Sequence, residues 1–388
     1  MIMNIPLSKL KVWSRLILKK YQPTIIIVIG PSDRTSLPEA IAFVLRDKFK
    51  TRTSRGKDDN ELSFAAAIIG LDYSKRNSWG WFPVLLRVLF LFLFRNKNYP
   101  RVLILKIDAN QPEEITNLIK IAPLNAEIIT VYEKKRKIII NNKALTLTYG
   151  LEGSPDLLAQ DIVHNFTKGK YELSGLNFKL NHRGSIVPVF MDNIISETGL
   201  YATLAAAAIG VYFKMNLIEI AQALREYSLP KGQMNILPGI KHTFIIDDTY
   251  DSSPETSLIA LDTLSRVKID ESASKYAILG DIAAVGNRAE EEHRRLGAKI
   301  ADSGINYLIA VGEKSRDIIR GAAVAGLTDD YIFYFDHTEE AGRFLQNRLK
   351  AGDVVLIKGS SDMKMERIVK EIMAEPDRAG ELLARQEE

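Results

Sequence analysis

Between Phe244 and Ile357 the chain returns, every ~25 residues, to a short and strongly apolar run. The runs are Phe244–Asp247, Tyr276–Leu279, Tyr307–Val311, Ile332–Phe335 and Val354–Ile357, each followed by a segment of helical length. Runs this short, apolar on both faces and separated by helices, belong to a parallel sheet covered on both sides. The pattern predicts a doubly wound, Rossmann-like domain of about 150 residues, with its ligand crevice outside the C-terminal strand ends. Those ends carry Asp247-Asp248, Gly280-Asp281, Gly312 and Lys358-Gly359-Ser360.

A second α/β region precedes it. Thr24–Gly30 reads as a buried strand, Leu37–Phe49 as a helix and Val102–Asp108 as another strand. A helix from Pro112 to Ile121 and a strand from Glu127 to Val131 follow. From Lys137 to Pro188 short alternating runs with turns predict antiparallel strands. Ala202–Val211 and Leu217–Arg225 predict helices, the first so rich in small residues that it must pack closely against a neighbour. A boundary falls at Pro230–Pro238. The expected organisation is an N-terminal arm over 1–22, a central domain over 23–233, a C-terminal domain over 234–376 and a mobile polar tail over 377–388. At ~150 residues per domain, 388 residues accommodate this.

Several function classes drop out. With 52 basic against 48 acidic residues the charge is too balanced to mark a nucleic-acid binder. The absence of cysteine excludes disulfides, thiolate nucleophiles and thiolate-held metals. The histidines (164, 182, 242, 293 and 337) have no metal-binding spacing. The apolar run Trp81–Phe94 is shorter than the ~20 residues of a membrane span and contains Arg87. It reads as a helix buried within the chain or against a partner protein through 79–94. Near the N-terminus, Leu7, Leu10, Val12, Leu16 and Ile17 alternate with Lys9, Lys11, Arg15, Lys19 and Lys20. This is a basic amphipathic helix, a packing arm or a contact for a membrane surface, without the cleavage site of a signal peptide. A cytoplasmic location is expected.

Three ordered motifs then carry a resemblance: IIDDTYDSSPETS (245–257), ILGDIAAVGNRAEEEHRRLG (278–297) and LIKGSSDMKMERIV (356–369). The region that holds them resembles the terminal domain of the Mur ligases, most closely the branch that adds D-alanyl-D-alanine to UDP-N-acetylmuramoyl-tripeptide. Residues 24–235 look, more loosely, like the family's central P-loop-type ATPase domain. The family's N-terminal UDP-binding domain is expected to lack a counterpart, since about 22 residues precede the first strand. The resemblance implies ATP-driven amide formation through an acyl phosphate, with a phosphate loop, a lysine on the phosphates and magnesium held by carboxylate.

Residue by residue, the implied ATP site departs from that pattern. The phosphate loop reads Gly30-Pro31-Ser32-Asp33-Arg34-Thr35-Ser36. Gly30, Ser32, Arg34, Thr35 and Ser36 remain as nucleotide-binding candidates, but Asp33 places a carboxylate where phosphate should sit. Arg34 lacks lysine's compact geometry. Lys106 stands in the place of the family's magnesium-binding glutamate, with Asp108 as a displaced candidate ligand. The segment after Val131 that carries the family's histidine and modified lysine is replaced by Glu133-Lys134-Lys135-Arg136. Gln233 takes the place of the hinge arginine, and Asp251 that of the asparagine after Tyr250. Asp59-Asn60-Glu61 resembles a substrate-entrance motif within an ordinary polar loop.

These losses predict an impaired homologue that keeps the scaffold to bind a cell-wall peptide precursor or a partner protein. Its C-terminal crevice would be built from Asp248, Tyr250, Asp251, His293, Lys358, Gly359 and Ser360, with no resident metal. His293, within EEEHRR, reads as a solvated helix residue. The alternative is a working ligase using ATP and Mg2+, in which Arg34 neutralises phosphate and Asp108 recruits the metal.

Overall fold

The computed structural model describes residues 6–30, 36–54, 61–71, 81–108, 128–133, 145–164, 175–282 and 286–385. The described chain separates into two compact units. The first comprises 1–162, 178–189 and 201–227; the second comprises 163–177, 190–200 and 228–388.

The first unit is organised around strand β1 (Thr24–Gly30), whose residues Ile25 to Ile29 are all essentially inaccessible. An unbroken apolar run suits this place, because both faces of a central parallel strand are covered. β1 pairs in parallel with β3 (Val102–Asp108) on one side and β4 (Ile128–Glu133) on the other. The sheet runs β2-β3-β1-β4-β5-β6-β7-β8, where β2 is Thr51–Thr53 and β5 to β8 are Leu145–Gly150, Leu157–His164, Leu176–His182 and Ser185–Met191. The antiparallel reading of 137–188 is corrected here. β5 pairs in parallel with β4 and β6 in parallel with β5. β7 and β8 are joined by a two-residue turn, with Arg183 and Gly184 at φ 49° and 85°, as a type I′ hairpin requires. The run at 137–142, the expected helix at 112–121 and most of the run at 171–175 lie outside the described residues.

Helix α1 (Leu7–Tyr21), α3 (Glu61–Ile69) and α4 (Trp81–Leu93) cover one face of this sheet around Ile27, Leu103 and Leu105. α4 is helical as its sequence predicts, and the chain itself covers one stripe of it. Only Val84, Val88 and Leu91 are buried, whereas Phe82, Leu86, Leu89, Phe90 and Leu93 are between 41% and 67% exposed. A 13-residue helix lying flat on a sheet can bury one stripe, and its sequence is apolar all round. On the other side of the unit, helix α2 is Leu37–Leu45, and the alanine-rich helix α5 (Glu197–Tyr212) packs closely, as expected. A Cβ added at Gly210 would stand 3.0 Å from Ile220 of helix α6 (Leu217–Arg225).

The second unit holds the sheet β13-β12-β11-β14-β10-β9. Strands β10 (Thr243–Asp248), β11 (Lys275–Gly280), β12 (Tyr307–Val311), β13 (Ile332–Phe335) and β14 (Val354–Lys358) coincide closely with the five predicted runs, and all pair in parallel. β14 returns to insert between β10 and β11, so the winding reverses there. Helices α10 (Thr338–Arg348) and α11 (Glu366–Ile372) cover the face presented by Ile245, Ile278, Ile309 and Ile357. The alternate residues Ile246, Ala277, Leu308 and Leu356 are equally buried and face α7 (Pro254–Arg266), α8 (Ala289–Ala301) and α9 (Arg316–Val324).

The boundary segment and the tail expected to be mobile are both bonded to the second unit. The second half of Pro230–Pro238 belongs to strand β9 (Asn235–Gly239), antiparallel to β10 at the sheet edge. The Pro238 carbonyl accepts the Ala374 amide at 2.9 Å, and Gly239 bridges to Met373. The tail is docked as far as residue 385. Leu383 is buried and Arg385 pairs with buried Glu366 at 2.9 Å. The paired leucines 382 and 383 within a polar stretch are the signal for this docking.

Helices α8 and α9 meet through glycine. A Cβ at Gly297 would stand 1.9 Å from the Ile318 carbonyl oxygen, and one at Gly321 would stand 2.0 Å from that of Arg294. Gly297→Ala should therefore cost about 1–3 kcal/mol in urea unfolding, the range for overpacking a tight core. Gly380→Ala, with open space around its site, should stay within about 0.5 kcal/mol.

Candidate functional site

Alternation along β10 sends its two terminal carboxylates to opposite faces of the sheet. Asp248 lies in register with Lys358 at the end of the neighbouring β14, and the two side chains form an ion pair at 2.8 Å. Lys358 is 2% exposed, and its ammonium also donates to the Asp251 carbonyl at 2.7 Å. The other oxygen of Asp248 accepts the Met234 amide at 3.2 Å. Burial raises the Asp248 carboxyl above its ordinary value despite the ammonium beside it.

One lysine thus holds a strand end and the loop after the next strand, while its carboxylate partner holds the segment 232–234. That segment is shaped to be held. Gly232 and Met234 have φ of 71° and 58°, and the Tyr250 amide donates to the Gly232 carbonyl at 2.8 Å. A Cβ on Gly232 would lie 3.0 Å from that amide nitrogen, so glycine is required by both conformation and space. Gln233, in the expected place of a hinge arginine, sits half-buried within this turn.

Asp247 points the other way and is fully buried. One oxygen accepts from the Thr249 amide and hydroxyl at 3.2 and 2.7 Å; the other has no hydrogen-bond partner among the described residues. Desolvation pushes its pKa up to about 6, against the opposing Thr249 hydrogen bonds and with help from the charges of Asp248 and Glu366. Nearby, Arg385 donates to the Tyr250 carbonyl at 2.8 Å and to that of Thr249, and its guanidinium lies over the Tyr250 ring. Arg385 and Glu366 were not among the candidates. A cation in a polar tail has no local periodicity that betrays its docking.

The remaining strand ends close the crevice with backbone. Gly359 passes so near Gly280 and Met365 that a Cβ would stand 2.7 Å from the Met365 side chain and 3.3 Å from Gly280 Cα. The Ser360 amide donates to the Asp281 carbonyl, and the Asp281 carboxylate accepts the Ser315 amide, both at 2.9 Å. Gly312, at φ 96°, leaves room for that carboxylate. Asp251 accepts the Ser252 amide, and Ser253 caps helix α7 through a reciprocal pair with Thr256. Asp248, Tyr250, Asp251, Lys358, Gly359 and Ser360 therefore gather at one rim of the sheet.

His293 departs from its solvated reading. It is fully buried; Nε2 accepts the Ile282 amide at 3.1 Å and Nδ1 donates to the Ala289 carbonyl at 2.6 Å. With both nitrogens committed to backbone it is a positioning residue that ties the loop after β11 to α8. The charged neighbours in EEEHRR occupy the outer turns of that helix and disguise its inward face. A separate cleft of about 490 Å3 opens along α7, among Ile195, Leu258, Arg266, Arg295 and Lys299; no strand-end residue lines it.

In the first unit, Lys106 is buried at 5% exposure on β3, between β1 and β2, and on the sheet face opposite Leu105. Its backbone amide donates to the Ser54 hydroxyl at 3.2 Å. Ser36 is buried at the start of α2. Ser32, Asp33, Arg34 and Thr35, with Lys134 to Arg136, Asp59 and Asn60, lie outside the described residues, as does the side chain of Asp108.

Comparison with known proteins bears on this arrangement. Residues 232–361 match the family model of the Mur ligase, glutamate ligase domain. The UDP-N-acetylmuramoyl-tripeptide–D-alanyl-D-alanine ligase of Bacillus subtilis is 21% identical over 95% of this chain and 80% of its own length. Its counterpart from Buchnera aphidicola (strain Bp) is 22% identical over 97% and 80%. Among solved structures, the MurF ligase of Thermotoga maritima in complex with ADP superposes with a TM-score of 0.69 at 19% identity, over 96% of this chain and 84% of that one. A pseudomurein peptide ligase of Methanothermus fervidus superposes at 0.58.

Two stability measurements test the rim. Lys358→Met leaves the Asp248 carboxylate buried without its cation and should cost about 3–5 kcal/mol in urea unfolding, whereas adding Asp248→Asn should recover part of that loss. Asp247 binds its proton more tightly folded than unfolded. Its stabilising contribution is therefore complete below about pH 4 and lost as pH rises towards 6. Asp247→Asn should flatten the pH dependence of unfolding free energy between pH 4 and 6 by on the order of 2–3 kcal/mol.

Proposed function

We propose that this Mur ligase homologue, with the fold of that family and its C-terminal domain, binds a cell-wall peptide precursor or a partner protein in the cytoplasm. In this reading the ATP-driven, amide-forming step of its relatives is impaired. The observation that carries the reading is Lys106. It is a buried cation at the position where the resemblance puts the magnesium-binding glutamate, on a strand adjoining the one that leads into the phosphate loop. At ~4 Å and an effective dielectric of ~20, a unit charge facing a divalent cation is opposed by roughly 8 kcal/mol. Among the described residues, that environment does not fit magnesium held in the family's manner, so no chemical step is routed through it. Asp33, a carboxylate within the segment that the resemblance makes a phosphate loop, supports the same conclusion from the sequence.

One observation favours the second reading, a working D-alanyl-D-alanine-adding ligase with rearranged ligands. At the strand ends Asp248 holds both Lys358 and the Met234 amide, and the match to ligases of that activity runs through nearly the whole chain. In this reading Arg34 neutralises phosphate and Asp108 recruits the metal.

Calorimetry distinguishes the two. The impaired homologue should show no magnesium-dependent ATP binding tighter than roughly millimolar, about −4 kcal/mol. Asp33→Gly, Arg34→Lys and Lys106→Glu together should recover measurable affinity, while amide formation stays absent because Gln233 supplies no charge. Micromolar Mg-ATP binding by the unaltered chain, or amide product from UDP-N-acetylmuramoyl-tripeptide and D-alanyl-D-alanine, would establish the ligase instead.

A further inference from the structure

We infer that helices α1 and α4 form a docking surface for an anionic lipid bilayer, on which the chain lies without crossing it. The outward stripe of α4 is Phe82, Leu86, Leu89, Phe90 and Leu93, the i, i+4, i+7, i+8, i+11 pattern that an ordinary amphipathic helix turns inward. Here the inward stripe is a different set, Val84, Val88 and Leu91, already packed against Leu10, Ile17 and Leu18 of α1. The outer stripe is therefore surplus to the core. A contiguous apolar surface of this kind marks an interaction site.

Charge selects the occupant. Residues 7–21 and 81–101 contain nine lysines and arginines and not one aspartate or glutamate, in a chain whose 52 basic and 48 acidic residues are otherwise nearly balanced. Lys9, Arg15, Lys19, Arg95, Lys97 and Arg101 are exposed around the apolar stripe. One of the nine, Lys11, is paired with Glu61 of α3 at 2.6 Å, and an apolar face among the remaining cations complements acyl chains beneath anionic headgroups. A second copy meeting the same surface across a two-fold axis would bring this cationic surround against itself.

The two helices present themselves as one body. Lys20 of α1 donates its ammonium to the carbonyls of Leu91, Phe92 and Phe94 at 2.8, 2.7 and 3.0 Å, closing the C-terminal end of α4. At 13 residues α4 is about 20 Å long. Among the described residues no helix is long and apolar enough to cross a membrane.

The test is co-sedimentation of the full chain with phosphatidylcholine vesicles, with and without about 30% phosphatidylglycerol. Binding should require the anionic lipid and weaken as salt is raised. Leu89→Ser with Leu93→Ser, and separately Lys9→Glu with Lys19→Glu and Lys97→Glu, should each reduce vesicle binding at least about tenfold while leaving the far-UV circular dichroism unchanged. The charge variant alters only exposed side chains, so it decides the matter should the serine variant fold poorly. Failure to bind anionic vesicles, or binding that the charge variant leaves unaltered, would overturn the proposal. So would a soluble dimer that the serine variant dissociates in a chain indifferent to vesicles. None of these outcomes depends on nucleotide binding.

Discussion

The organisation of the C-terminal unit rests on a buried ion pair between neighbouring strand ends. Asp248 and Lys358 are brought opposite each other by the parallel register of β10 and β14, at the place where the sheet reverses its winding. Neither charge is satisfied by its partner alone. The carboxylate takes an amide from the turn that enters the domain, and the ammonium takes a carbonyl from the loop that leaves β10. Two charges withdrawn from water need such additional bonds to offset their desolvation. Those bonds determine where the entering turn, the Tyr250 loop and the start of α7 sit around the crevice.

Much of this was legible from residue order. Five apolar runs at regular intervals determine five parallel strands, since short segments with no polar face can be buried only between two helical layers. The crevice followed from topology, and the glycines at 280, 312 and 359 mark places where backbone and side chains pass too closely for a Cβ. What stayed hidden depends on distant pairing. Leu145–Gly150 and Leu157–His164 have the length and alternation of hairpin strands, yet β6 adds to β5 in parallel. His293 is flanked by charges on both sides, but helical periodicity turns that one position inward. How much of α4 the chain covers is hidden as well, because composition reports how apolar a helix is, not how much of it a flat sheet can cover.

The two units stand differently towards the chemistry of their relatives. In the C-terminal crevice Asp248, Lys358 and the 232–234 turn are bonded to one another, and the domain is the one matched by the family model. In the first unit the strands remain, while Lys106 reverses the sign of charge expected on β3. Strand burial and site electrostatics rest on different residues, so a fold can be shared where the charges at a site differ.

The edge of the second sheet carries one more consequence. A parallel sheet that ended at β10 would expose an open row of amides and carbonyls, a template on which another chain could grow as a further strand. β9 covers that row, and the proline near its end, residue 238, has no amide to offer; its carbonyl is already taken by the Ala374 amide. During synthesis this protection comes in two stages. The covering strand precedes β10 in the chain, but the residues that close its outer side arrive more than a hundred positions later. A nascent chain halted before Met373 would thus present an open sheet margin, which makes the short segment at 373–374 a guard against self-association as much as a part of the fold.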